Sequence, residues 1–172
     1  MNTTTETGGA TAAPATGRSR SRLAWAAAVL WGLAVSVAHF GGLHYYVYWE
    51  VWWWDLLTHS TAGFGVAAFA YLLRPAAFRR PAALFLALPA FVLVVGLGFE
   101  VYERLFRTFW WSWSVSYYLE DTLLDLVMDT LGALALAVVV VLVDLLRRRA
   151  ASVTSVVTAP SPPSLPRTGR DE

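Results

Sequence analysis

Three aspartates recur at every fourth position where the last apolar segment of this chain begins. They are Asp121, Asp125 and Asp129, in the stretch EDTLLDLVMDTLGALALAVVVVLVDLL. A spacing of four residues places side chains on one face of an α-helix. Carboxylates that share a face can hold a cation or act as general acid and base. The same face continues into Gly132 and Ala133, and small residues of this kind allow close helix packing in membranes.

Two other apolar segments also place acidic or imidazole side chains near one end. Asp55 and His59 are four residues apart in WDLLTHSTAGFG, and their face continues through Gly63. Glu100 and Glu103 lie at the end of VVGLGFEVYER. Three segments therefore each contribute polar groups. His39 and His44, at the end of the first apolar segment, are further candidates for the same region.

Some of these residues have a simpler explanation. Asp55 and Asp121 stand where helix N-caps belong, and Glu103 has Arg104 and Arg107 as nearby ion-pair partners. A cap does not occur four or eight residues inside a helix. The residues that a cap does not explain are His59, Glu100, Asp125 and Asp129.

The segments that carry these residues are long enough to cross a bilayer. The chain has 172 residues, 57% of them hydrophobic, and a bilayer core of about 30 Å needs roughly 20 helical residues. The sequence therefore predicts an all-α polytopic membrane protein, a four-transmembrane-helix bundle. The predicted spans are 23–43, 56–73, 82–105 and 122–146, and the predicted tails are a disordered segment 1–22 and a basic, Pro-rich segment 147–172.

Arginine placement predicts the orientation of these spans. Arginines cluster before the first span, between the second and third, and after the fourth. The positive-inside rule then places both termini in the cytoplasm of a cell-membrane protein. The acidic and histidine residues consequently lie in the outer half of the bilayer. The two outer connections, which contain HYYVYWEVWWW and RTFWWSWSVSYY, have the Trp and Tyr content of an interfacial belt or of an entrance for a lipid-like molecule.

A group of acidic side chains at one depth requires compensation of its charge. Bound protons, a divalent cation or water would each supply it. Oxygen ligands suit Mg, Ca or Mn, and an imidazole also suits Zn or Fe; cysteine is absent from the chain. The candidate metal ligands are Asp55, His59, Glu100, Glu103, Asp121, Asp125 and Asp129. The candidate catalytic residues are His59, Glu100 and Asp129. No H-E-x-x-H motif is present, so the identity of the metal stays open.

Three stretches resemble the VanZ-like and YjdF-like groups of small membrane proteins. The stretches are WDLLTHSTAGFG, FEVYE and DTLLDLVMDTLGALA, within residues 50–135. The residues that match are Asp55, His59, Glu100, Glu103, Asp125, Asp129, Thr130, Gly132 and Ala133. VanZ-like proteins often have Asn where this chain has Asp129, and the additional acids bring the chain closer to the YjdF-like group. The resemblance implies a small helical membrane bundle and a link to the cell envelope.

Two classes of function fit these residues, beside a purely structural membrane protein. The first is a metal-dependent enzyme that acts on a lipid or a lipid-linked envelope precursor. The second is a proton- or cation-binding component of a transporter. The expected partners are the lipid bilayer and a lipid substrate, whereas the net charge of +1 gives no reason to expect nucleic acid binding. The oligomeric state is not predicted.

Overall fold

The computed structural model describes residues 16–157 as helices and short connections, and side chains within 21–108 and 111–152. The main helices are α1 (Thr16–His44), α2 (Val47–Glu50), α3 (Trp54–Leu73), α4 (Leu88–Phe106) and α5 (Val115–Val157). A π-helical turn, Ala83–Ala87, leads into α4, and a 3₁₀ turn, Phe109–Ser112, precedes α5. Within the described residues, four segments are long and apolar enough to cross a membrane: Ser21–His44, Trp54–Leu73, Ala83–Phe106 and Val115–Ser152. The predicted all-α polytopic bundle is confirmed.

The last helix begins earlier than the sequence predicts. Its start was expected at residue 122, but α5 begins at Val115, directly after Ser114. The Ser114 hydroxyl accepts the backbone N–H of Tyr117 at 3.2 Å and so satisfies one of the free donors of the first turn. Asp121 consequently lies well inside α5, and the N-cap explanation for it is wrong.

The predicted tails are partly helical in the described part of the chain. Residues 16–22 form the start of α1, and residues 147–157 continue α5. The predicted tails also include residues 1–15 and 158–172, which lie outside the described residues.

Helices α3 and α5 form the most extensive contact of the bundle, and glycines bring their backbones together. A Cβ atom added to Gly132 would lie 2.6 Å from the backbone nitrogen of Phe64. One added to Gly63 would lie 2.6 Å from the Cα atom of Asp129. Neither position has room for a side chain, so the small-residue stripes predicted from the sequence do mediate close packing.

The bundle has an apolar half and a polar half. Among the described residues, the apolar core consists of buried side chains from the C-terminal part of α3, the middle of α5 and the start of the third span; they are Ala67, Leu84, Leu88, Val92, Ala133, Leu136 and Ala137. The buried polar side chains lie at the other end of the same helices. Helix α1 packs on α3, where Trp31 donates its indole N–H to the carbonyl of Thr61 at 2.9 Å.

Candidate functional site

The centre of the polar half is the imidazole of His59. Its Nε2 lies 3.6 Å from Asp55 Oδ1 and 3.7 Å from Asp125 Oδ1, and its Nδ1 lies 3.5 Å from Asp129 Oδ1. His59, Asp125 and Asp129 are buried, whereas the Asp55 side chain is 32% exposed. The helical spacing of four residues aligns Asp125 with Asp129 on α5 and Asp55 with His59 on α3. The close packing of these two helices then brings the pairs together.

Glu100 adds a third buried carboxylate, from α4. Its Oε2 accepts a hydrogen bond from the Thr122 hydroxyl at 3.0 Å. Its Oε1 is buried and has no hydrogen-bond partner within the described part of the chain. Glu103 and Asp121 are half-buried, one turn farther from the apolar core than Glu100 and Asp125 respectively.

Asp55, His59 and Asp125 have the geometry of a candidate metal site. Each offers one ligand atom, and the three atoms lie within 4.8 Å of one another. The 3.6 and 3.7 Å separations exceed by a few tenths of an ångström the edge of about 3.3 Å that tetrahedral bonds of 2.0–2.1 Å require. A contraction of a few tenths of an ångström would bring these two separations to the edge length of a zinc site, and the third separation, between the Asp55 and Asp125 oxygens, is within 4.8 Å. The other four predicted ligands, Glu100, Glu103, Asp121 and Asp129, are not members of this three-residue group.

Asp129 has a different position relative to the imidazole. It faces Nδ1, whereas Asp55 and Asp125 face Nε2. Histidine ligands of metals generally donate their second N–H to a carboxylate or carbonyl, which fixes the tautomer and the ring orientation. If Nε2 binds the cation, Asp129 occupies the position of such an orienting carboxylate.

A chain of hydrogen bonds connects the site to α1 and α2. His39 Nδ1 lies 2.7 Å from the Tyr48 hydroxyl, which lies 3.1 Å from Thr58 Oγ1. Thr58 donates in turn to the backbone carbonyl of Asp55 at 2.9 Å. Burial raises the pKa of Tyr48 above its usual value, and the carboxylates of the site act in the same direction. The phenol therefore keeps its proton and serves as a donor in this chain.

A cavity of about 230 Å³ adjoins the site between α1, α3 and α4. Its polar lining includes His39, His59 and Asp129, and the remaining lining is largely apolar. Ser36 and Phe40 line it from α1 and are exposed on the surface of the bundle. Because these residues belong to a candidate membrane span, we expect the cavity to open toward lipid.

Sequence reasoning missed several residues that surround the site. Tyr48 and Thr58 connect His39 to Asp55, and Thr122 bonds Glu100. The only sequence signal for Thr58 and Thr122 is their position, three residues after Asp55 and one residue after Asp121 respectively. His44, the other histidine considered with His39, instead packs edge-on against Tyr45, with ring centroids 4.7 Å apart.

Comparison with known proteins places the chain in a family of membrane proteins. Residues 9–145 match the family model described as "Predicted membrane protein (DUF2238)", and the chain belongs to this family. No curated protein and no solved structure matches the chain. The family match confirms the prediction of a small membrane protein group. The VanZ-like and YjdF-like names are not confirmed and stay a resemblance.

Proposed function

We propose that this member of the family is a metal-dependent membrane enzyme that acts on a lipid or a lipid-linked envelope molecule. Asp55, His59 and Asp125 would hold the divalent cation. One observation carries the proposal: three ligand atoms from two helices converge beside a cavity that is expected to open toward lipid. Three protein ligands leave further coordination positions for water and substrate, as in catalytic metal sites.

The surrounding side chains have distinct roles in this proposal. The cation would polarise an ester or phosphate oxygen and lower the pKa of a bound water. Asp129 would orient His59 through Nδ1. Glu100 is the candidate proton acceptor, because its Oε1 is buried without a hydrogen-bond partner among the described residues.

Two features of the bundle argue against the alternatives. A transporter needs a polar route across the membrane, but beyond the site the described helices pack through Leu88, Val92 and Ala133. A purely structural network would satisfy its buried polar atoms, whereas Glu100 Oε1 has no partner in the described part of the chain. The enzyme therefore accounts for more of the observed geometry than a transporter component or a structural protein does.

The proposal can be tested by following lipid turnover in proteoliposomes. The protein would be reconstituted with lipids extracted from membranes of its source organism, and the lipids would be analysed by mass spectrometry with chelator and after addition of each candidate metal. We expect one lipid class to be converted by the wild type with metal and not by Asp125→Asn. Asp144→Asn is the matched control, because Asp144 lies on the same helix in an exposed ion pair with Arg148.

Other outcomes would contradict the enzyme. A cation or proton flux in the same liposomes that Asp125→Asn abolishes, with no lipid converted, would establish the transporter component instead. Unchanged lipids and no flux, with a loss of thermal stability in Asp125→Asn alone, would establish a structural role.

A further inference from the structure

The His39 side chain, beside the site, has a ring nitrogen without a hydrogen-bond partner among the described residues. Its Nε2 is buried and has no hydrogen-bond partner within the described residues, and the side chain lines the cavity between α1, α3 and α4. The ring is held in place by edge-on contacts with Phe40 and Phe99, with centroids 5.1 and 5.7 Å away. His59 contacts the same Phe99 ring at 6.0 Å, so the two imidazoles flank one aromatic side chain.

The hydrogen-bond chain fixes which nitrogen of His39 carries the proton. The Asp55 backbone carbonyl can only accept a hydrogen bond, so Thr58 donates its single hydroxyl proton to it. Tyr48 must then donate its single phenolic proton to the Thr58 hydroxyl oxygen. The remaining contact, between Tyr48 and His39, therefore requires a proton on Nδ1. In the neutral ring Nε2 is consequently a hydrogen-bond acceptor.

We propose that the cavity binds an amphiphile from the bilayer whose hydroxyl group donates to His39 Nε2. The proposal rests on the proposed function, because it names the class of molecule that would reach the metal site. A buried acceptor is costly unless a donor reaches it. A group of the ligand that binds metal or carries negative charge would bind at the metal site of His59 instead. An ether or ester oxygen has no proton to donate to His39.

The shape and lining of the cavity agree with such a ligand. Its walls include Val35, Val66 and Val95 and suit an alkyl segment, and its volume of about 230 Å³ falls below the 300–1,000 Å³ of pockets that enclose drug-sized molecules. The cavity therefore takes only the part of the amphiphile near the hydroxyl. The rest of the chain would extend past the exposed rim at Ser36 and Phe40 into lipid.

A pair of photoreactive probes tests the proposal. The probes are a diazirine-bearing fatty alcohol and its methyl ether, of equal chain length, and labelling of α1 and α4 is quantified by peptide mass spectrometry. We expect the alcohol to label the wild type about two- to tenfold more than the ether, as one net hydrogen bond provides. His39→Phe should remove this preference by lowering alcohol labelling.

Thr58→Val gives a more specific prediction. Without the threonine acceptor, Tyr48 would donate to His39 Nδ1, and the ring proton would move to Nε2. The ether should then label as strongly as the alcohol, through a gain of ether labelling. Ser36→Ala is the matched control: Ser36 lines the same cavity, but its hydroxyl already donates to the Gly32 carbonyl at 2.8 Å, so the preference should not change.

The failure of this proposal is distinguishable from failure of the metal site. The same labelling is measured in chelator-treated protein and in Asp125→Asn, where the preference for the alcohol should persist. Equal labelling of the wild type by both probes would overturn the hydroxyl proposal, as would an unchanged preference in His39→Phe. Neither result would bear on whether Asp55, His59 and Asp125 bind a metal.

Discussion

Substitution of Gly132 by alanine should disrupt both the packing of α3 on α5 and the site between them. The added Cβ would overlap the Ser60 carbonyl oxygen and would lie 2.6 Å from the Phe64 backbone nitrogen, whereas ordinary contact begins at 3.4 Å. Backbone atoms cannot move aside as a side chain can, so the two helices must separate. Overpacking of this kind costs about 1–3 kcal/mol. The separation would also move His59 away from Asp125, now 3.7 Å from it.

Gly98→Ala is the matched control for this prediction. A Cβ on Gly98 would meet nothing within 4 Å, and Gly98 also lies inside a helix. Both variants gain the same helix propensity, about 1 kcal/mol, so the difference between them isolates the packing term. The free energy of unfolding would be measured by SDS titration in mixed micelles, and metal content by elemental analysis of the folded fraction.

We expect Gly132→Ala to be about 1–3 kcal/mol less stable than Gly98→Ala and to bind metal more weakly. Equal stability and equal metal content of the two variants would refute the close approach of α3 and α5 at this position, and with it the geometry of the site.

Two further substitutions separate stability from the site. Leu88→Ala removes a fully buried side chain from the apolar half and should lower the free energy of unfolding by about 2–5 kcal/mol, while metal bound per folded chain, measured in the same preparation, stays unchanged. Asp144→Asn breaks an ion pair with Arg148 whose side chains are 55% and 76% exposed. It should change the unfolding free energy by less than about 1 kcal/mol, and a larger loss in SDS titration would show that the pair matters more than its exposure indicates.

The buried part of the site could be predicted from spacing and topology. Asp125 and Asp129 share a helix face with Gly132, and His59 shares one with Gly63, so close packing of the two helices had to bring the acids and the imidazole together. A charged side chain in contact with lipid has a high free-energy cost, so these side chains are expected to face protein. This argument also predicts that the acids and the imidazole lie inside the bundle.

The outer elements could not be predicted in the same way. Tyr46 adopts a left-handed conformation, with φ of 59°, between α1 and α2, and this turn allows Tyr48 to reach His39. Only a few per cent of residues other than glycine adopt it, and no residue type in HYYVYW signals it. The start of α5 was missed for a related reason, since SWSVSYY has the composition of an interfacial loop and of a helix start alike.

The most direct measurement is the amount of divalent metal bound per chain in protein purified in detergent without chelator. Wild type, Asp125→Asn and the control Asp144→Asn would be supplied with Mg, Ca, Mn, Zn and Fe in turn and analysed for metal. We predict close to one ion per chain in the wild type and in Asp144→Asn, and a loss of at least tenfold in affinity in Asp125→Asn. Wild-type protein that binds none of these metals, while folded and monodisperse, would contradict the metal site at Asp55, His59 and Asp125.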